Sequence, residues 1–262
     1  MTDVLLLNAG VLLGAAFLLW LASLPLRDAS IVDRFWGTYF VLVAASTLLY
    51  SDRNTYTLIL FALATIWGLR LSLYLTWRNW GGGEDFRYQK MRRYWGARFP
   101  IVSLFSVFLL QAGLAWIVSL SLQAGISRAD DVVFSSLVYA GFLVWLTGLV
   151  FECVGDWQLA RFKADPANSD QVMDQGLWRY TRHPNYFGDA VVWWGRVLVG
   201  VGIAEAWWTS AGPLAMTYLL MRVSGVPMLE RNLKKSRPGY EAYVARTSAF
   251  VPRPPKNPTT SS

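Results

Sequence analysis

Long apolar segments alternate with short polar ones along the chain. A helix rises 1.5 Å per residue, so a bilayer core of roughly 30 Å needs about 20 apolar residues for one crossing. The pattern predicts an all-α integral membrane protein, a bundle of seven transmembrane helices with short cytoplasmic caps. Because the second segment is short and the last two are closely joined, six crossings or a re-entrant piece stay open. The segments are 4–26, 35–50, 55–77, 99–123, 132–152, 187–208 and 210–227.

Composition and charge placement fit this topology. Hydrophobic residues make up 54% of the chain and charged residues 16%, against about 25% charged in ordinary soluble domains. Most of the 24 Lys and Arg follow the first, third and fifth segments or lie in the tail. Because cytoplasmic loops carry excess positive charge, we expect the N-terminus outside and the C-terminus in the cytoplasm, in a bacterial inner membrane. One domain, 1–262, is predicted, with an unstructured end at 253–262.

A net charge of +7 raises the question of a nucleic-acid partner. Every basic cluster borders an apolar segment, so we assign the charge to topology and to attraction for anionic membrane lipids, and expect no nucleic acid. The single cysteine, Cys153, excludes an intramolecular disulfide. With one histidine, His183, the chain also lacks zinc-finger and His-rich metal patterns. No metal is predicted, although a site made of carboxylates alone stays open.

Several charged residues fall within or beside the apolar segments, where each ionised group costs a few kcal/mol. Asp189 and Arg196 are two helical turns apart on one face, and Glu152 and Asp156 are one turn apart. They could form structural ion pairs between helices. The alternative is a polar cavity open to the cytoplasm, which we favour because both signs of charge and several segments contribute.

Two polar segments carry the candidate chemistry. GGGEDFRYQKMRRYW (81–95) sets glycines beside charged residues, a composition suited either to a phosphate or to a flexible loop. RYTRHPNYFGD (179–189) borders an apolar segment. Its arginines, with Lys163, could bind phosphates, while its His, Asn and Tyr could bond to and stack on an adenosine or ribose. The chain has no GxGxxG or GxxxxGK[ST] motif, so neither a Rossmann nor a P-loop site is supported.

The segments GLWRYTRHPNYFGD (176–189) and PMLERNLKKSRPGYEAYVARTSAFVP (227–252) resemble the C-terminal half of membrane steroid 5α-reductases and sterol C14-reductases. Upstream, IVDRFWG and GGGEDFRY look like the uncharacterised bacterial branch of that superfamily. Isoprenylcysteine carboxyl methyltransferases carry a similar RHPxYxG motif. The combination with EDFRY and FVPRP favours the reductases.

The resemblance implies a helical membrane fold, NADPH as hydride donor and reduction of a carbon–carbon double bond in a lipid-like substrate. It places the cofactor in the half of the chain from 132 to 252. The implied cofactor residues are Asp156, Lys163, Arg179, Arg182, His183, Asn185, Tyr186, Asp189, Glu230, Arg231 and Tyr243.

The catalytic part of the resemblance is incomplete. Steroid 5α-reductases use a Gln-Glu pair and a Tyr on the steroid 3-oxo group, but this chain has no Gln-Glu dipeptide, and Trp67 occupies the Tyr position. The remaining acid–base candidates are Asp33, Glu84, Asp85 and Tyr88. We expect Tyr88, polarised by Glu84 or Asp85, to stabilise the developing enolate.

We therefore expect an NADPH-dependent reductase of an enone in a steroid, sterol or other lipid-like molecule. The first alternative is an S-adenosylmethionine-dependent membrane methyltransferase, which needs fewer phosphate-binding charges. The second is a non-enzymatic lipid-binding or transport protein. No internal repeat of the kind found in many transporters supports the latter.

Overall fold

The computed structural model describes residues 1–127, 136–201, 207–223 and 225–256. Within these ranges all regular secondary structure is helical, apart from one isolated bridge between Thr181 and Ser248. The sequence predicts one domain, and the helices group into two compact units. The first unit comprises Met1–Phe134 and Gly200–Gly212, and the second comprises Ser135–Val199 and Pro213–Ser262.

Twelve α-helices are present in the described ranges. The first unit holds α1 (Thr2–Leu26), α2 (Ile31–Tyr50), α3 (Thr55–Arg78), α4 (Phe86–Trp95), α5 (Phe99–Ser103), a π-helical turn (Leu104–Leu109), α6 (Leu110–Val118) and α7 (Leu120–Ser127). The second unit holds α8 (Ser136–Ala164), nearly all of α9 (Pro184–Val201), most of α10 (Ala211–Tyr218), a second π-helical turn (Leu219–Val223), α11 (Val226–Ser236) and α12 (Tyr240–Arg246). Short 3₁₀ turns occur at Gly96–Arg98, Pro166–Asn168, Gly176–Arg179 and Trp207–Ser210.

Helices lie along the described parts of all seven predicted membrane segments, although residues 132–135, 202–206 and 224, in three of them, fall outside the described residues. Four helical stretches are long and apolar enough to cross a bilayer: Thr2–Leu26, Thr55–Arg78, Phe86–Val118 and Ser136–Ala164. The membrane-protein prediction is supported, and seven crossings stay a prediction. α8 continues well past the predicted end at 152, because Glu152 and Asp156 turn towards its buried face.

Polar side chains tie the apolar helices of the first unit together. Asn8 of α1 is fully buried and donates to Thr47 Oγ1 of α2 at 2.8 Å and to Gln123 Oε1 of α7 at 3.0 Å. α2 and α3 approach so closely at Gly37 that a Cβ there would lie 2.1 Å from Gly68 O. Small residues and internal hydrogen bonds replace the hydrophobic driving force that is absent between helices in lipid.

α4 does not continue straight into the apolar helix that follows it. In a straight helix the 23 residues between Tyr88 and Gln111 would span about 35 Å, yet Tyr88 Oη and Gln111 Nε2 are 3.3 Å apart. The direction changes at Gly96, whose φ of 50° lies in the left-handed region that glycine adopts without steric cost. α4 therefore folds back along the following helix and brings Tyr88 to Gln111.

In the second unit, α8 and α9 pack antiparallel with their backbones in direct contact. A Cβ on Gly148 would lie 2.5 Å from Val192 N and 2.7 Å from Gly188 O, and one on Gly155 would lie 3.1 Å from Pro184 Cγ. Side chains larger than hydrogen would force the helices apart. The contact is lined by glycines seven residues apart on each helix: Gly141, Gly148 and Gly155 on α8, and Gly188 and Gly195 on α9.

The C-terminal residues pack against the segment that precedes α9. Thr181 Oγ1 donates to Phe250 O at 2.7 Å, and Arg182 N donates to Ser248 O at 2.8 Å. Farther along, Arg253 N donates to Tyr180 O at 2.9 Å. The first residue of the predicted unstructured end, 253–262, is thus hydrogen-bonded to the rest of the second unit. Residues 257–262 lie outside the described residues.

The glycine contact can be tested with the smallest possible side chain. Gly148→Ala adds one methyl group against the α9 backbone, so we expect it to lower the unfolding midpoint in detergent, with a cost of about 1–3 kcal/mol for overpacking. Gly14→Ala in α1 is the matched control, since a Cβ there meets nothing within 4 Å. It should leave stability unchanged or raise it, because alanine favours helices. Equal stability of the two variants would contradict the close contact.

Candidate functional site

In the first unit, two of the predicted catalytic residues, Tyr88 and Asp33, are hydrogen-bonded to each other, with Asp33 in the first turn of α2. Tyr88 Oη donates to Asp33 Oδ1 at 2.8 Å, and Arg87 Nη2 donates to Asp33 Oδ2 at 2.7 Å. Gln111 Nε2, from α6, donates to the same Oδ1 at 2.9 Å. One carboxylate therefore receives hydrogen bonds from a phenol, a guanidinium and an amide.

The carboxylate that contacts Tyr88 is Asp33, and the other two acidic candidates have different partners. Glu84 accepts from Arg92 Nη2 at 2.7 Å and from the Ala29 backbone N–H at 2.9 Å, and so joins the α1–α2 loop to α4. Asp85 caps the start of α4 and binds Arg87 Nε at 2.8 Å. Burial acts to raise the pKa of Asp85, but the hydrogen bonds from Arg87 outweigh it and the pKa is lowered.

Gln111 is the residue of this cluster that the sequence analysis missed. It lies in the apolar segment predicted over 99–123, and its amide also reaches Tyr88 Oη at 3.3 Å. The sequence signal for Gln111 was weak, because it consists only of an uncharged polar side chain within an apolar segment. Tyr88 itself is only 6% exposed, so its side chain has little contact with water.

In the second unit, the predicted cofactor residues around the only histidine converge on Glu230. Its Oε1 accepts from Arg182 Nε at 2.7 Å and lies 3.1 Å from His183 Nε2. The Arg182 guanidinium also donates to the carbonyls of Val244 and Thr247. Arg182, predicted to bind a phosphate, is thus buried and occupied by groups from α11 and the end of α12.

Burial lowers the pKa of His183, and this outweighs the raising effect of Glu230, so the ring is neutral at pH 7. Because a carboxylate only accepts hydrogen bonds, Nε2 carries the proton towards Glu230 and Nδ1 is an acceptor. Nδ1 is buried and has no hydrogen-bond partner among the described residues. The ring stacks on Tyr186, with the centroids 5.4 Å apart.

The glycine contact brings α8 and the start of α9 together at this site. Asn185 Nδ2 donates to Asp156 Oδ1 at 3.1 Å, and a Cβ on Gly155 would lie 3.2 Å from Asn185 N. Deeper in the same helix pair, Asp189, Glu152 and Arg196 are buried. The charges of both carboxylates act on the Arg196 guanidinium, which also lies 4.4 Å from the Trp193 ring centroid.

The remaining predicted cofactor residues divide into two groups. Tyr243 is buried and its hydroxyl donates to Trp178 O, which fixes α12 against the 3₁₀ turn before the histidine segment. Lys163, Arg179 and Arg231 are exposed cations of the second unit. The exposed cations, rather than Arg182, are therefore the groups that a phosphate could reach.

Replacement of Glu230 tests the centre of this cluster. Burial acts to raise the pKa of Glu230, but hydrogen bonds from His183 and Arg182 lower it to about 2 from an ordinary 4.5. The folded-state pKa is depressed, so its stabilising contribution is full above pH 4.5 and is lost as the pH falls towards 2. Glu230→Gln should remove that part of the acid dependence and, because it strands a buried Arg182, cost about 3 kcal/mol at pH 7.

The measurement is the unfolding midpoint in detergent between pH 2 and 7. Glu241→Gln, an exposed position on α12, removes the same charge and should behave like the wild type. Identical pH profiles for the wild type and Glu230→Gln would contradict the assigned role of Glu230.

Comparisons with known proteins place the chain in a family without giving an activity. The model of a protein of unknown function, DUF1295, matches residues 19–247. An uncharacterized protein of Schizosaccharomyces pombe is 22% identical over 263 residues, covering 90% of this chain and 76% of the yeast protein. No solved structure matches. Because the family model covers most of the chain, the protein belongs to the DUF1295 family.

Proposed function

We propose that this protein is a membrane-embedded, NADPH-dependent reductase of a carbon–carbon double bond conjugated to a carbonyl in a lipid-like substrate. The long apolar helices suit a substrate that partitions into the bilayer. The observation that carries the proposal is the buried Tyr88 hydroxyl held between Asp33 and Gln111.

Three features of the second unit support NADPH as the cofactor. His183 Nδ1 is a buried acceptor suited to a ribose hydroxyl or a carboxamide N–H. Asn185, fixed by Asp156, presents an amide at the start of α9. Lys163, Arg179 and Arg231 supply positive charge for the pyrophosphate and the 2′-phosphate. When bound, NADPH would supply the hydride that adds to the β-carbon of the enone.

The first unit has the groups that can manage the proton. As the β-carbon gains the hydride, negative charge develops on the carbonyl oxygen, and a hydrogen-bond donor aimed at that oxygen lowers the barrier. The Tyr88 hydroxyl would rotate away from Asp33 and donate its hydrogen bond to the substrate oxygen instead. Gln111 keeps its N–H on Tyr88 Oη, which holds the phenol in place. The α-carbon would then take a proton from water, which with the hydride completes the reduction.

This cluster also bears on the choice between the reductase and the methyltransferase on the same motif. Methyl transfer to a carboxylate or thiolate needs no donor for a developing enolate, whereas enone reduction uses a phenol such as Tyr88, held by a carboxylate and an amide. The Asp33–Tyr88–Gln111 cluster therefore favours reduction.

The decisive variant for this proposal is Tyr88→Phe, which keeps the ring and removes the donor. Turnover of an enone lipid, followed as NADPH oxidation together with product mass, should fall by about two to three orders of magnitude, the usual cost of one such donor. NADPH affinity should be nearly unchanged, because the cofactor residues lie elsewhere in the chain. Tyr94→Phe, at a largely exposed position, is the control and should keep full turnover. Full turnover in Tyr88→Phe would exclude Tyr88 as the donor.

A further inference from the structure

A separate cavity of about 350 Å³ lies beside the end of α8, in the second unit. Its volume is within the range of roughly 300–1,000 Å³ that small-molecule sites occupy. None of its residues belongs to the proposed cofactor or proton-handling groups. The lining residues that matter are Trp157, Arg161, Phe162, Asp165, Asn168 and Gln175.

The cavity continues the lipid-facing side of α8. Leu143, Leu146 and Val150 are exposed along one face of this apolar helix, and Trp157 extends that face with 58% of its surface exposed. Glu152 and Asp156 lie on the opposite, buried face. An apolar stripe that ends in an exposed tryptophan is the pattern of a helix leaving the bilayer, since tryptophans collect at the membrane–water interface.

The length of α8 agrees with this placement. The 20-residue rise from Leu137 to Trp157 is about 30 Å, one hydrocarbon thickness. The next residue on the exposed face is Arg161, one turn beyond Trp157, with its guanidinium carbon 5.7 Å from the Trp157 ring centroid. The cavity is therefore at the depth of lipid headgroups.

The charges of the cavity are balanced. Arg161 contributes a cation and Asp165 an anion. Asp165 Oδ1 accepts from Ala167 N at 2.9 Å, which orients the carboxylate, and Asn168 Nδ2 donates to Phe162 O at 3.1 Å, which leaves its carbonyl oxygen as an acceptor. Gln175 adds a second amide at the rim. One positive group, one negative group and amide acceptors complement a zwitterion that carries hydrogen-bond donors on its cationic end.

We propose that this cavity binds the headgroup of phosphatidylethanolamine from the surrounding leaflet. The phosphate pairs with Arg161, the ammonium group donates to Asp165 and the amide oxygens, and the acyl chains lie along the exposed leucines of α8. Phosphatidylcholine has no N–H to donate to Asp165. Phosphatidylglycerol has no cation, so it leaves the carboxylate beside a phosphate. The site is independent of the reductase proposal.

Native mass spectrometry of the full chain in detergent tests this site, with dioleoyl phosphatidylethanolamine, phosphatidylcholine and phosphatidylglycerol titrated separately. The wild type should bind one phosphatidylethanolamine about tenfold more tightly than either of the others. Arg161→Ala should weaken all three lipids. Asp165→Asn keeps the acceptor for Ala167 N but removes the charge, and should weaken phosphatidylethanolamine alone by about tenfold. Arg93→Ala, an exposed cation of the first unit, should bind like the wild type.

Three results would overturn the proposal. Equal affinity for the three lipids in the wild type would mean that the cavity does not select a headgroup. Loss of binding in Arg93→Ala as large as in Arg161→Ala would indicate only general attraction between basic protein and lipid. Displacement of the lipid by NADPH would assign the cavity to the cofactor instead.

Discussion

The second unit depends on the direct backbone contact between α8 and α9. Gly148 and Gly188 bring the helix axes so close that Asp156 and Asn185 can form a hydrogen bond. The same contact buries Glu152, Asp189 and Arg196 against one another, where each charge must be satisfied by protein. Because lipid offers no hydrogen bonds, a looser helix pair would leave these groups without solvation. The glycines are therefore as necessary to the site as its polar residues.

Both candidate clusters use one carboxylate to organise several donors. Asp33 accepts hydrogen bonds from Tyr88, Arg87 and Gln111. Glu230 accepts hydrogen bonds from Arg182 and His183. The Glu230 carboxylate, which is paired with Arg182, also fixes the proton on His183 Nε2, so that Nδ1 is left as an acceptor. Charge pairing thus does more than stabilise the fold, because it sets the hydrogen-bonding role of the neighbouring group.

The length of the apolar segments was enough to locate the long apolar helices, since crossing a bilayer constrains it, but it did not predict the shorter helices α4, α11 and α12. The proximity of His183, Asn185 and Asp156 was expected from the family resemblance. The partners of Tyr88 were not expected: Asp33 is 55 residues away in sequence, and the contact with Gln111 depends on the reversal at Gly96. The three-glycine segment before α4 forms a turn with Gly81 and Gly83 at positive φ, and the single Gly96 makes the reversal after it. Contacts of this kind depend on tertiary packing, which local patterns do not encode.

Calorimetric titration of the full chain in phosphatidylethanolamine nanodiscs tests most directly the central proposal, that the second unit binds NADPH. NADPH should bind at least about tenfold more tightly than NADH, because the 2′-phosphate adds a charge-assisted contact with the exposed cations. Asn185→Ala should weaken NADPH about tenfold or more. Saturable binding of S-adenosylmethionine without binding of NADPH would contradict the claim and favour the methyltransferase.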